Sequence, residues 1–352
     1  MSIRALTSPA AGIVAAVTVI ALLILEGATD ARSAPDSAPP TRTPAAVDQT
    51  SSQDRLAAVP SSAKVRRELR VLSNGCRYNH RGIPRCGTLL GAAYGSNTDP
   101  SAWEQEMGRG LGVHRTYYDA WEIDEAVRTA RVDLRRERVP WISFKLPYSW
   151  EDMAAGAGDE WARDVASRLA GLDGPVWVAF HHEPEGDGDI TRWTATQERL
   201  APIVRAAAPN VAYSVILTGW NQFFGESHYS LDALWPDTPI DLVGFDVYDK
   251  YGVVKDGTTI TERTRFKRDY FTEFEQFAQK HGVAWALAET GYTDSAAELD
   301  DRFLEHLYDG VRAHGGVAVS YFNTTVNSVA PWRLVGSKER AFADVLRETP
   351  TL

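Results

Sequence analysis

Two glutamates carry the chemistry this sequence can do. Glu183 closes the run Phe180-His181-His182-Glu183-Pro184, and Glu289 closes Trp285-Ala286-Leu287-Ala288-Glu289. Each run reads as a buried strand ending in a carboxylate. On parallel strands of one barrel, both side chains would project from the C-terminal mouth. A protonated and an ionised carboxylate at one mouth can cleave a glycosidic bond: one supplies a proton to the leaving oxygen, the other attacks the sugar carbon.

The surrounding residues suggest supporting roles. A partly desolvated carboxyl near a second carboxylate has a raised pKa, which suits Glu183 to general acid work; the competing reading is a strand-end glutamate paired with an arginine. Glu185, in Glu185-Gly186-Asp187-Gly188, reads as a solvated loop charge. His181 and His182 are adjacent on a strand and point to opposite faces, so they would not share a metal; hydrogen bonding to a sugar or to Glu183 suits them better. Glu289 is the sole ionisable group between Ala284 and Thr290. Tyr248 could donate to it, and Asp246 shares Tyr248's face of the strand. Tyr321, Trp220 and Trp193 are candidate sugar platforms, although 11 tryptophans mean that many are core.

Eight strand–helix units can carry these residues. The strands are expected at Leu89–Tyr94, Val113–Tyr118, Val139–Leu146, Val176–His182, Val211–Leu217, Leu242–Val247, Ala284–Ala288 and Val317–Phe322. Several are continuous apolar runs, as strands buried on both faces are. Helical patterns alternate with them: Ser101–Arg109, Ile123–Arg138, Glu160–Leu172, Thr191–Ala208, Leu231–Leu234, Arg265–His281, Ala296–His314 and Ser337–Arg347. Strict alternation means a parallel α/β sheet, and eight repeats favour closure into a (β/α)8 TIM barrel. The Gly-rich phosphate turn of a doubly wound fold is absent after the first strand, as is any Gly-Lys-Ser/Thr loop, and no cofactor is expected. Polar and aromatic residues gather at the C-terminal strand ends, among them His114 to Asp119, Lys145, Asp246 to Tyr248 and Tyr321 to Asn323.

Residues 1–31 read as a signal peptide, with an uncharged apolar run from Ile13 to Leu25 and small residues before a break after Ala31. An uncleaved anchor is the alternative. Residues 32–65, rich in Ser, Ala, Pro and Thr, read as a flexible linker, which leaves 66–352 for the barrel. Export would make the protein extracellular, and a monomer is expected. The net charge of -10 argues against nucleic acid and against an anionic membrane surface as partners. The two cysteines, Cys76 and Cys86, close a short loop and read as a disulfide in an exported chain; no third or fourth ligand supports zinc.

With these residues in place, the chain over about 88–350 resembles glycoside hydrolase family 26, within the clan of retaining barrel glycosidases. His182-Glu183 resembles the family's His-Glu at the acid/base, and Glu289 stands where the nucleophile is expected. Asp246-Val247-Tyr248 resembles the strand-six Asp-x-Tyr whose tyrosine contacts the nucleophile. The sequence departs from the family at Ala179, where an arginine is expected, at Tyr321 in place of tryptophan, and at Glu185-Gly186-Asp187-Gly188 in place of an aromatic cluster. The resemblance implies a secreted, retaining endo-β-glycanase acting on β-1,4-mannan. The alternatives are a β-glucanase or β-xylanase on the same fold, or a non-catalytic polysaccharide-binding barrel.

Overall fold

A computed structural model describes residue 66, residues 68–326, residue 328 and residues 330–352. The expected signal peptide and linker lie outside the described residues. Eight parallel strands close a barrel: β1 (Leu89–Tyr94), β2 (Val113–Tyr118), β3 (Val139–Phe144), β4 (Val176–Phe180), β5 (Val211–Thr218), β6 (Leu242–Asp249), β7 (Ala284–Tyr292) and β8 (Ala318–Asn323). Each pairs with its sequence neighbours, and β1 closes on β8 from Leu89↔Ala318 to Tyr94↔Asn323. The (β/α)8 expectation holds. The helices wrap the barrel because their apolar positions recur on one face. In the helix Ile123–Arg135, for example, Ile123, Ala126, Ala130 and Leu134 are buried.

The differences from the expected elements have local causes. The expected helix over Ala296–His314 is two helices, Asp294–Glu298 and Phe303–Ala313. Between them the Asp300 carboxylate accepts the Arg302 backbone N–H at 3.1 Å, a local bond that competes with the helical one. Strand β7 runs past Ala288 to Tyr292 because β6 continues beside it, pairing Tyr248↔Gly291 and Asp249↔Tyr292. Two short helices at the mouth were not expected, Trp150–Ala155 and Gly219–Phe224. The first starts where the Ser149 hydroxyl accepts the Asp152 N–H at 3.2 Å.

Large side chains fill the barrel interior. The Trp141 indole donates to the Ser214 hydroxyl at 3.0 Å and meets Trp177 edge-to-face. The segment before β1 reaches the N-terminal end of the barrel. Gly82, at φ 78°, packs so close to Pro175 that a Cβ would lie 2.6 Å from that ring. The neighbouring Arg81 carbonyl accepts the Trp177 indole N–H at 3.0 Å, and Arg81 and Arg205 both pair with Asp241. Cys76 and Cys86 form the expected disulfide in this segment, with Cα atoms 5.5 Å apart. Among the described residues no helix is long and apolar enough to cross a membrane.

Candidate active site

Glu289 reaches the mouth through a fault in its strand. The β6–β7 register shifts by one residue, from Phe245↔Leu287 to Asp246↔Glu289. A bulge puts one extra residue into a strand and re-aims the side chains beyond it. Before it, Trp285 turns outward to Phe271 and Phe274 of the helical layer. Ala288 faces inward, where its Cβ lies close under Gly244. Glu289 then faces inward as well, which strict alternation would forbid.

The Glu289 carboxylate is buried and held on both oxygens. Tyr117, on β2, donates to Oε1 at 2.7 Å, and Tyr248, on β6, donates to Oε2 at 2.6 Å. Burial first, and then the Glu289 charge, hold both phenols well above the usual tyrosine range, so they remain donors. Arg115 is fully buried on β2, with Nη2 3.7 Å from Glu289 Oε1 and its guanidinium 4.4 Å from the centre of the Tyr117 ring. Tyr117 and Arg115 stood in the His114-to-Asp119 cluster without an assigned role. The signal was an arginine inside a strand, two residues before a tyrosine on the same face.

Glu183 is placed by unusual backbone. His181 and Glu183 have φ of 54° and 50°, a left-handed conformation that is strained for side chains of this kind. Neighbouring elements impose it. The His181 N–H donates to the Phe144 carbonyl at 2.9 Å and the Glu183 N–H to the Ile216 carbonyl at 3.0 Å, so the chain bridges β3 and β5 past the end of β4. From the helix Ile190–Ala207, the Trp193 indole donates to the His181 carbonyl and the Gln197 amide to the Phe180 carbonyl, each at 3.0 Å.

Glu183 and Glu289 line one cavity of about 600 Å³, together with Tyr117, His182, Tyr248, Phe322 and Trp332. Burial, then the charges of Glu289 and Glu185, push Glu183 up to about 8. His182 Nε2 lies 3.9 Å from Glu289 Oε1, and burial, followed by the Arg115 charge, holds the imidazole well below its usual range and neutral. Trp332 packs on Tyr248 with ring centres 4.8 Å apart, an approach that the missing side chain of Gly291 permits.

Several expected sugar contacts are elsewhere. Tyr321 is fully buried and turned outward to Phe342, its hydroxyl donating to the Trp332 carbonyl at 2.9 Å. Alternation along β8 gives the cavity to Phe322 instead. Trp193 is also core and clamps the backbone at His181 rather than offering a face to solvent. His181 turns away from the cavity to Asp187, 3.0 Å from its Nε2, and packs on Trp150. Trp220 is exposed but does not line the cavity. Asp246 lies below the cavity surface with both oxygens buried and, among the described residues, unbonded; burial, then the charges of Glu289 and Glu183, push its carboxyl well above the usual carboxylate range. Glu185 is not a solvated charge. It accepts from the Thr218 N–H at 3.1 Å and from the Gln222 amide, and burial pushes it up to about 7.

The raised Glu183 has a measurable effect on stability. In the unfolded chain the group ionises near 4.5, whereas in the folded one it keeps its proton to about 8. Between those values unfolding releases a proton, so stability falls as pH rises through that window. Glutamine mimics the neutral acid at every pH. Glu183→Gln is therefore expected to melt higher than the parent at pH 7, with the two curves converging near pH 4. Thermal melts check it, and a variant melting lower at pH 7 would refute the protonated state.

Comparisons with known proteins address the fold. No protein-family model matches the chain, and no curated protein matches it. Solved structures do. An endo-β-1,4-mannanase double mutant from Cellulomonas fimi superposes with a TM-score of 0.53 at 15% identity, covering 73% of this chain and 70% of that one. Thermotoga maritima Cel5A in complex with mannotriose gives 0.53 at 10% identity, covering 76% and 98%. The cellulose synthase subunit Z from Clostridioides difficile gives 0.54 at 14% identity, covering 74% and 99%. At these identities the likeness is one of fold.

Proposed function

We propose that this protein is a glycoside hydrolase that cleaves a β-linked polysaccharide with retention, by double displacement. Glu289 is the nucleophile: two phenols donate to its oxygens and hold them in place, and a buried guanidinium stands beside it. Glu183 is the acid and then the base, protonated at neutral pH and in the same cavity. The observation that carries the reading is this division of two carboxylates in one cavity, one surrounded by donors and one desolvated without a donor among the described residues. Binding a glycan requires neither, which disfavours the non-catalytic barrel.

β-1,4-Mannan is the preferred substrate. The His182-Glu183 and Asp246-Val247-Tyr248 motifs support it, and structural neighbours include an endo-β-1,4-mannanase and a protein holding mannotriose. β-Glucan and β-xylan are the runners-up. The disulfide fits a secreted protein. The test is hydrolysis of β-1,4-mannan, lichenan and β-1,3-xylan, with the first-formed anomer followed by NMR. Release of the β-anomer, fastest from mannan, is expected. An α-anomer would exclude retention, and no hydrolysis of any β-glycan would overturn the assignment.

A further inference from the structure

We propose that Trp121 and Tyr148 form a sugar-binding platform outside the catalytic cavity, which takes a pyranose ring of the same neutral β-linked chain whose cleavage site lies at Glu183 and Glu289. The proposal rests on the glycosidase reading and adds a second point of contact to it. Trp121 is 68% exposed and Tyr148 is 46% exposed. Their rings meet edge-to-face with centres 6.4 Å apart. Among the described residues, neither the indole N–H nor the phenol has a hydrogen-bond partner.

The pair is continuous with the cavity. Trp121 sits in the turn after β2, between Asp119 and Glu122, and Tyr148 follows β3 three residues after Lys145. Asp119, Glu122 and Lys145 all line the cavity wall. The two turns are fixed without help from the rings. The Asp119 N–H donates to the Glu122 carboxylate at 2.7 Å, and the Lys145 N–H to the Tyr118 carbonyl at 2.9 Å. Lys145 Nζ pairs with Asp119 at 2.8 Å, and the Ala120 carbonyl accepts the Trp161 indole N–H at 2.7 Å. Rigid aromatic rings with unused polar tips, held at the rim of a cleft, suit a ligand that is apolar on its ring faces and hydroxylated at its edges.

Charge and size restrict the occupant. Lys145 and Asp119 neutralise each other, and Glu122 leaves the wall negative, which disfavours an anionic sugar. A protein partner is disfavoured because a stable interface buries about 800 Å² on each side, whereas two such rings offer roughly half of that at most.

The test uses Trp121→Ala and Tyr148→Ala in the full-length protein. Both positions are exposed, and the turns are held by other groups. Mannohexaose, with cellohexaose alongside, is compared with an aryl monoglycoside whose single sugar occupies the cavity. Trp121→Ala is expected to lower kcat/KM on the hexaose about tenfold, mainly through KM, while leaving the monoglycoside unchanged. Unchanged hexaose kinetics, or an equal fall on both substrates, would overturn the platform. Should the parent protein cleave nothing, the glycosidase reading fails, and calorimetric titration with the hexaose decides the platform. Binding lost in Trp121→Ala then upholds it, and binding unchanged or absent in the parent overturns it.

Discussion

Glu289→Ala is expected to lose turnover by on the order of 10⁴-fold or more on polysaccharide and aryl glycoside alike, because no glycosyl–enzyme bond can form without the nucleophile. Glu183→Ala should behave differently. On polysaccharide it loses about 10²–10⁴-fold, the usual contribution of a general acid. On an aryl glycoside whose leaving group departs unaided, the first step survives and a burst of phenol appears. The second step then becomes slow, because Glu183 also activates the water. Azide, small enough for the vacated space, restores turnover of Glu183→Ala and gives a β-glycosyl azide. In Glu289→Ala it would give the inverted α-azide. An α-azide from the Glu183 variant and a β-azide from the Glu289 variant would reverse the roles, and full polysaccharide activity in either variant would remove both.

The second large effect is on pH. The acid must hold its proton, and Glu183 holds it up to about 8. kcat/KM is therefore expected to stay level to about pH 8 and then to fall about tenfold for each further pH unit. Burial is the principal cause of the shift, and the Glu289 charge comes next. Glu289→Gln removes that charge and should move the Glu183 titration downward, as read by carbon-13 NMR of labelled glutamate. An alkaline limb near pH 5, or a Glu183 titration unmoved by Glu289→Gln, would mean that the two carboxylates do not interact as described.

The barrel was legible because several of its strands are apolar on both faces and its helices are apolar on one, and these periodicities survive in the linear sequence. Glu183 and Glu289 were legible for a related reason: a charge at the end of a buried run stands out. The failures cluster where one residue of phase matters. Tyr321 and Phe322 are neighbours, and composition does not say which faces the mouth. Trp193 has the composition of a platform and the surroundings of a core residue, a distinction only the packed helix reveals. Arg115 stands on β2 and its partner on β7, and that adjacency arises from closure of the barrel. Glu185 looked solvated because it follows a proline in a Gly-rich loop. The helix Gly219–Phe224, unexpected from sequence, carries the Gln222 that buries it.

The extra residue at Ala288–Glu289 has a consequence for how this fold can change. Below the fault, β7 keeps step with the packing layers; above it, the phase is reset and Glu289 and Gly291 belong to the mouth. The strand behaves as two rulers joined out of register. Deleting Ala288 would remove the fault and restore simple alternation, with Glu289 still facing the mouth directly after outward-facing Leu287 and the Ala288 methyl under Gly244 lost. Substitutions in the lower ruler leave the phase of the upper one alone. Packing and chemistry are thereby insulated from each other on a single strand, so the core can drift in composition while the position of one carboxylate is inherited unchanged.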